Sequence, residues 1–341
     1  MQDIRALTQP ELEQALEKMG EKKFRAAQLF SWLHKNGAQS FDEMSNIPKS
    51  LKQKLSADFY ISTCEIERKL CSQLDETVKY LYKLHDNEYI ESVVMKYKHG
   101  YSICVSTQVG CAMGCKFCAS TKNGRKRNLT AGEIANQIYM SQRDLDIRIS
   151  NIVLMGMGEP LDNFDNVIRF LQLISDEKGV NIGMRHISLS TCGIVPKIKE
   201  LEKLNLQLTL SISLHAPNDE IRSSMMPINN KYPLCELIDA CRSYVNTTGR
   251  RISFEYSVVK GVNDSEECAK ELAKLLRGML CHINLIPVNQ IEEGGFVRPD
   301  NDRIRKFENT LLKLGMNATV RRTLGSDISA SCGQLRGEMN K

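Results

Sequence analysis

The chain has 341 residues, too many for one small core and enough for a large α/β unit with an accessory piece. Apolar residues make up 42% and charged residues 26%, the balance of a soluble folded protein, and no apolar run approaches the ~20 residues of a membrane-crossing helix. The net charge of +5, from 46 Lys and Arg against 41 Asp and Glu, is too mild to identify a nucleic-acid partner by itself.

Residues 1–60 carry a helical spacing. Leu12, Ala15, Leu16 and Met19 recur on one face, as do Phe24, Leu29, Phe30 and Leu33. Breaks at Asp42 and Ile47-Pro48 precede a short helix near Leu51–Leu55, so a small helical accessory domain is expected. Residues 61–98 change period. CEIERKL, TVKYLYKL and YIESVVMKY alternate, with polar turns at Asp75-Glu76 and His85-Asp86-Asn87, which predicts an antiparallel β-meander linking the two larger parts.

From residue 99 to 341, strand and helix alternate. Strands are expected at 102–107, 151–156, 186–191, 208–214, 252–259 and 282–287, with amphipathic helices at 130–141, 164–174, 196–204, 234–245, 265–276 and 300–314. Six βα units in succession imply an α/β fold with a parallel sheet, and right-handed crossovers curl it into a partial (β/α)6 barrel. Chemistry in such a barrel gathers at the C-terminal strand ends. GMGEP, STCG, SLHAP and PVNQ all fall there.

Cys111, Cys115 and Cys118 form a Cys-x3-Cys-x2-Cys run in a glycine-punctuated loop after the first of these strands. Iron–sulfur cubanes ordinarily take four thiolates, so three leave one iron open for chemistry. A structural zinc would want a fourth Cys or His nearby, and the next downstream His is His186. A disulfide does not suit a chain that opens without an apolar signal segment and is expected in the cytoplasm, where thiols stay reduced. Cys64, Cys71, Cys235, Cys241, Cys268 and Cys281 have no partner at metal spacing and read as packing residues. Basic clusters at Lys22-Lys23-Arg25, Lys122-Arg125-Lys126-Arg127 and Arg321-Arg322 together suggest a polyanionic substrate.

The cysteine run, with Phe117 before its last member, and the Gly158-Glu159 pair resemble the radical S-adenosylmethionine superfamily. CVSTQVGCAMGCKFCAST, SISLHAPND, MPINNKYP, VKGVNDS and SDISASCGQLRG narrow this to a resemblance, over nearly the whole chain, to the RlmN/Cfr family of RNA adenine methyltransferases. GMGEP with Pro160 and QVGCA are closer to its adenine-C2 branch than to the adenine-C8 resistance methylases, the alternative reading.

The resemblance implies a [4Fe-4S] cluster on Cys111, Cys115 and Cys118 whose open iron chelates S-adenosyl-L-methionine. It implies that Gly158, Glu159, Ser190, Ser213, Leu214, His215 and Asn289 contact that cofactor. Cys332 becomes the methyl carrier, Cys104 the thiol that releases product by forming a disulfide with Cys332, and Glu91 the general base for the C2 proton. The implied substrates are 23S rRNA at the peptidyl transferase centre and tRNA at the adenosine 3′ of the anticodon, with two S-adenosylmethionine molecules used in a ping-pong sequence. The N-terminal domain is implied to bind RNA, a flavodoxin- or ferredoxin-type electron donor is implied, and the protein is expected to be a monomer that does not engage membranes.

Overall fold

In the computed structural model, which describes residues 1–289 and 295–337, ten strands form one sheet whose order in space copies the order along the chain. They are β1 (Cys64–Cys71), β2 (Val78–Leu84), β3 (Tyr89–Tyr97), β4 (Gly100–Cys104), β5 (Ile149–Leu154), β6 (Ile187–Thr191), β7 (Thr209–Ser213), β8 (Ile252–Val258), β9 (Cys281–Pro287) and β10 (Ala318–Val320). β1 to β4 pair antiparallel. Every pairing from β4 to β10 is parallel.

Parallel neighbours need crossovers, and the helices supply them. In chain order the helices are α1 (Gln9–Lys18), α2 (Phe24–His34), α3 (Lys49–Asp58), α4 (Ala131–Leu145), α5 (Phe164–Ser175), α6 (Val195–Lys203), α7 (Asp219–Met225), α8 (Leu234–Thr248), α9 (Glu266–Leu276) and α10 (Asn301–Lys313). All six helices expected after residue 99 are present. So are the six strands, although the first ends at Cys104. Val105 N still bonds to Val153 O of β5 (3.0 Å), and Thr107 N then turns to Met157 O (2.8 Å) beyond the strand end. β10 and α7 were not legible, being only 3 and 7 residues long.

Side-chain alternation sets the chemistry of the barrel interior. On β8, Phe254 and Tyr256 point outward, and the Tyr256 ring lies 5.3 Å from Phe307 of α10. Each such fully buried side chain contributes ~1.5–3 kcal/mol. The intervening Glu255 and Ser257 line the interior, as do Ser190 of β6 and Ser213 of β7. The serines in the expected strands thus form a polar inner row.

α1–α3 form the helical N-terminal piece. Thr8 N donates to Glu11 Oε2 at 2.8 Å and fixes the start of α1. Phe24, read as part of the apolar face, is instead 53% exposed. It sits outside the face because α2 begins there, and Arg25 covers its ring at 4.8 Å. The piece joins the barrel through fully buried Arg5, bonded to Asn136 of α4 and to Ala38 O, and through His34 Nδ1, 2.9 Å from the Tyr139 hydroxyl. The meander β1–β3 is the antiparallel edge of the same sheet.

Candidate active site

Beyond Thr107 the chain forms a two-stranded hairpin, Gln108–Gly110 with Arg125–Asn128. Gly110 has φ +74°, and a Cβ there would lie 1.9 Å from Gly124 O. Only glycine lets the two arms close this tightly. The next amide, Cys111 N, donates to Gly124 O at 3.0 Å. Cys118 N donates to Cys115 O at 3.1 Å, and the Thr121 hydroxyl donates to Cys115 O and Cys118 O at 3.3 and 3.0 Å. This compact loop turns Cys111, Cys115 and Cys118 onto one cavity, with about 910 Å3 of empty space counting its open mouth.

Burial pushes the Cys111 thiol up to about 12 and raises Cys115 well above its ordinary value, with neighbouring negative groups adding to both; burial raises Cys118 too. Thiols so placed ionise readily only against a bound cationic centre. Among the described residues no three His, Cys, Asp or Glu side chains converge as ligands of a single metal ion. Three cysteines spaced around a cavity wall suit a larger group, since a multi-iron cluster spreads its ligands farther apart than one ion does.

The strand ends supply the rest of the wall. Gly158, Glu159, Ser190, Ser213, His215 and Asn289 all line the cavity. The Glu159 carboxylate accepts from Leu161 N at 3.0 Å and Cys192 N at 2.8 Å. Burial raises its pKa, and these hydrogen bonds oppose the rise. His215 has φ +58°, and its Nδ1 accepts from Ser257 N at 2.9 Å. Burial, with Arg222 adding, pushes it down to about 3, so the ring is neutral and Nε2 carries the proton. Phe117 meets this ring edge-on at 4.7 Å. The Ser190 and Ser213 hydroxyls lie 3.4 Å apart.

Cys332 lines the same cavity from the far end of the sequence, and Asn289 Nδ2 donates to its carbonyl at 3.1 Å. Gly333 has φ +84°, and a Cβ there would lie 2.8 Å from Phe117 O. The backbone beside Cys332 therefore rests directly on the cysteine loop, and Ala119 N donates to Gly333 O at 2.7 Å. A second cavity opens on the other side of Cys332. Cys104, Asn289, Arg321 and Cys332 line it. Cys332, Asn289 and Arg321 thus border both cavities.

Two expected site residues stand apart. The Leu214 side chain is fully buried outside the cavity lining, and only its backbone takes part, its carbonyl accepting from Arg222 Nε at 3.1 Å. Glu91 lines neither cavity. Its carboxylate is buried against Lys79 Nζ (2.8 Å), Arg336 N (2.5 Å) and Gly337 N (3.2 Å). The Cys104–Cys332 disulfide is not formed, since all twelve cysteines are free. Burial, with Cys332 adding, pushes the Cys104 thiol up to about 12, which withholds the thiolate that exchange requires.

Residues 105–275 match the Radical SAM superfamily, and residues 2–61 match the Ribosomal RNA large subunit methyltransferase N-terminal domain. A probable dual-specificity RNA methyltransferase RlmN of Clostridium novyi (strain NT) is 60% identical over 98% of both chains. Its counterpart in Alkaliphilus oremlandii (strain OhILAs) is 56% identical, over 98% of this chain and 97% of its own. The chain belongs to the RlmN family. A crystal structure of a radical SAM methyltransferase from Sphaerobacter thermophilus superposes with a TM-score of 0.95 at 45% identity, covering 99% of this chain and 100% of the other.

In this RlmN-family chain several site residues escaped the sequence reading. Arg222 is fully buried, and its guanidinium donates to Leu214 O (3.1 Å), Cys192 O (2.7 Å), Ser213 O (3.2 Å) and Asn229 Oδ1 (3.0 Å), tying two strand-end loops together. Cys192 and Glu255 line the cavity. Arg321 was grouped with Arg322 among the basic clusters pointing to a polyanionic substrate, yet it borders both cavities, and chiefly Cys332, then Glu255, Tyr97 and Cys104, hold it protonated. No spacing marks Arg222, Glu255 or Arg321, whose places show only once the fold buries them, and Cys192 was noted only as part of STCG. The cluster after the cysteine loop is also not an open basic patch. Arg125 pairs with Asp162, Lys126 with Glu88 (2.8 Å), and Arg127 with Asp86 (2.6 Å) and Glu133 (2.8 Å).

Among the described residues no helix is long and apolar enough to cross a membrane. Gln290 of PVNQ lies outside the described residues.

Proposed function

We propose that this chain methylates C2 of adenine in 23S rRNA and tRNA, with Cys332 as methyl carrier and Cys104 as the thiol that resolves the adduct. The observation that carries this reading is the position of Cys332. It borders a cavity holding the three cluster cysteines on one side and a cavity holding Cys104 on the other.

Cys111, Cys115 and Cys118 are the residues that would hold the [4Fe-4S] cluster. Gly158, Glu159, Ser190, Ser213, His215 and Asn289 would hold S-adenosylmethionine, and Leu214 would lend only its backbone. When bound, the pair supplies a reducing electron and a carbon-centred radical, chemistry that no side chain provides. A flavodoxin- or ferredoxin-type protein would deliver the electron.

Adenine C2 is an electron-poor amidine carbon and does not attack a sulfonium methyl, so a carrier is needed. Cys332 attacks the methyl of one S-adenosylmethionine. The new S–C bond forms as the sulfonium bond breaks, S-adenosylhomocysteine leaves, and the thiol proton passes to solvent. Arg321 borders Cys332 in both cavities. After hydrogen-atom removal from the carried methyl, Cys332 presents a methylene radical that bonds to C2; Glu91 takes the C2 proton, and the one surplus electron would go to the bound cluster as one-electron acceptor. For that step the Arg336 and Gly337 amides must leave the Glu91 carboxylate. Cys104, which burial keeps protonated at rest, gives up its thiol proton as it attacks the Cys332 sulfur. The S–S bond forms as the S–CH2 bond breaks, and the released electron pair takes a proton to complete the methyl group.

The test is anaerobic turnover with RNA, mapping the modified adenine by mass spectrometry. Methyl at C2 is expected, and methyl at C8 would move the chain to the other branch. A Cys104→Ala variant is expected to accumulate a ribonuclease-sensitive protein–RNA adduct. Release of product at the wild-type rate by that variant would remove Cys104 from the scheme.

A further inference from the structure

The segment from Gly325 to Gly337 crosses the meander edge of the sheet, and the contacts there are specific. Asp75 Oδ2 accepts from Gly325 N at 3.0 Å. Asp327 accepts from the Ser72 hydroxyl and from Gln73 N, each at 2.7 Å. Deeper in, Lys79 Nζ donates to Ser329 O at 3.1 Å and pairs with Glu91 Oε1 at 2.8 Å. Glu91 Oε2 accepts from Arg336 N and Gly337 N at 2.5 and 3.2 Å. Ser329 lies three residues before Cys332, and Arg336 four residues after it.

We propose that Lys79 and Glu91 form a latch that positions the Cys332 segment for methyl loading, gripping it on both sides of the methyl carrier without touching the atoms that react in that step. This rests on the reading of Cys332 as the carrier.

The register explains why these two residues meet. Lys79 pairs with Val93 and Leu81 with Glu91 across β2 and β3, so Lys79 and Glu91 are diagonal neighbours on one face. Their side chains are only 9% and 6% exposed. A pair so buried loses hydration on both sides and is stable only when its remaining donors and acceptors are used. Here the segment uses them. Ser329 O takes an ammonium proton that Glu91 does not, and two backbone amides fill the carboxylate oxygen that Lys79 does not reach. When the segment lifts, all three bonds are lost together, so the pair favours a docked segment. Both residues are positioning residues for methyl loading, and Glu91 serves this task before RNA arrives.

Methyl loading without RNA is the experiment that isolates the latch. Cluster-reconstituted full-length protein is incubated with S-adenosylmethionine, and the methylated fraction of the Cys332 peptide is followed by mass spectrometry. Reductive cleavage of S-adenosylmethionine is followed in parallel, and hydrogen exchange is measured over residues 329–337. Lys79→Met, Glu91→Gln and the double variant Lys79→Met/Glu91→Gln, which leaves no buried charge, are each expected to load methyl at least tenfold more slowly. Cleavage should stay within twofold of wild type, and exchange protection of the segment should fall. Lys79→Arg should restore loading to within threefold. Wild-type loading in the folded double variant, or unchanged protection of the segment, would overturn the latch. So would slowing confined to the RNA-dependent half by Glu91→Gln, since that assigns Glu91 to base chemistry alone. Absence of methyl on Cys332 in the wild type would overturn the carrier reading instead, and the exchange result alone would then decide the latch.

Discussion

The cysteine loop and the Cys332 segment face one cavity and are built by opposite means. The loop is local. Its closing bonds, Cys111 N to Gly124 O, Cys118 N to Cys115 O and Thr121 to Cys115 O, span at most 13 residues. The segment has short-range bonds too, such as Ala330 N to Gly325 O and Gln334 N to Ser331 O, but it is fixed in place by contacts from far along the chain. It is held by Ser72, Asp75, Lys79 and Glu91 of the meander, by Ala119 and Ser120 beside the cysteine loop, and by Asn289 after the ninth strand. A group that stays bound is placed by a stiff local frame. A thiol that must serve two cavities in turn is placed by contacts that release as a set.

Substitutions that hit one region and spare the other test this contrast. The largest effect is expected for Cys115→Ala, which removes one of three ligands. Iron content and visible absorption after anaerobic reconstitution should collapse, with loss of cofactor cleavage. A full cluster in that variant would break the assignment. Gly333→Ala acts on the other region, forcing a Cβ to within 2.8 Å of Phe117 O at a positive φ. Iron content should stay normal while methyl loading of Cys332 drops by about two orders of magnitude, the scale that a small misplacement of a reacting group produces. Loss of iron in this variant would show the two regions to be one unit.

Arg222→Met strands three carbonyls in the core. A loss on the order of 3 kcal/mol, read as the shift in urea midpoint, is expected from buried groups left unpaired. An unchanged midpoint would mean that water fills the site. The acid limb of stability is a smaller and graded effect. Burial, helped by Arg5 and Arg222 respectively, pushes His34 and His215 down to about 3 from 6.5. The folded chain keeps both neutral while the unfolded chain binds protons below that value. This stability is therefore complete above pH 6.5 and is lost as pH falls toward 3, at about 1.4 kcal/mol per pH unit for each histidine. His34→Gln should remove its share of the slope, and an unaltered slope would exclude it. The smallest effect belongs to Arg125→Gln with Lys126→Gln. Both cations already have carboxylate partners. Exposed pairs of this kind contribute at most ~1 kcal/mol, so RNA affinity at moderate salt should change only a few-fold. A tenfold loss would show that phosphates displace those carboxylates.

The sequence was most legible where one element carries its own period or spacing. The six longer helices after residue 99, the meander and the Cys-x3-Cys-x2-Cys loop all repeat on the scale of a turn or a pleat. Elements shorter than one period, such as Ala318–Val320 and Asp219–Met225, left no trace. At the site, Ser190, Ser213 and His215 were legible as polar residues at consecutive strand ends. Arg222 and Arg321 were not, since one exposed-looking arginine in an amphipathic stretch resembles any other until tertiary contacts bury it. Lys79 escaped for the same reason, reading as the polar member of an alternating strand.

The sheet's order bears on how the chain comes to be made. Each strand from β2 onward pairs with the strand synthesised immediately before it, so the sheet can grow one strand at a time without an open edge awaiting a distant partner. Residues 325–337 follow the last strand and fold back onto the edge made first. Cys332 is therefore the last of the site thiols to be made, and it joins Cys104 and the cysteine loop only when the end of the chain returns to the first edge.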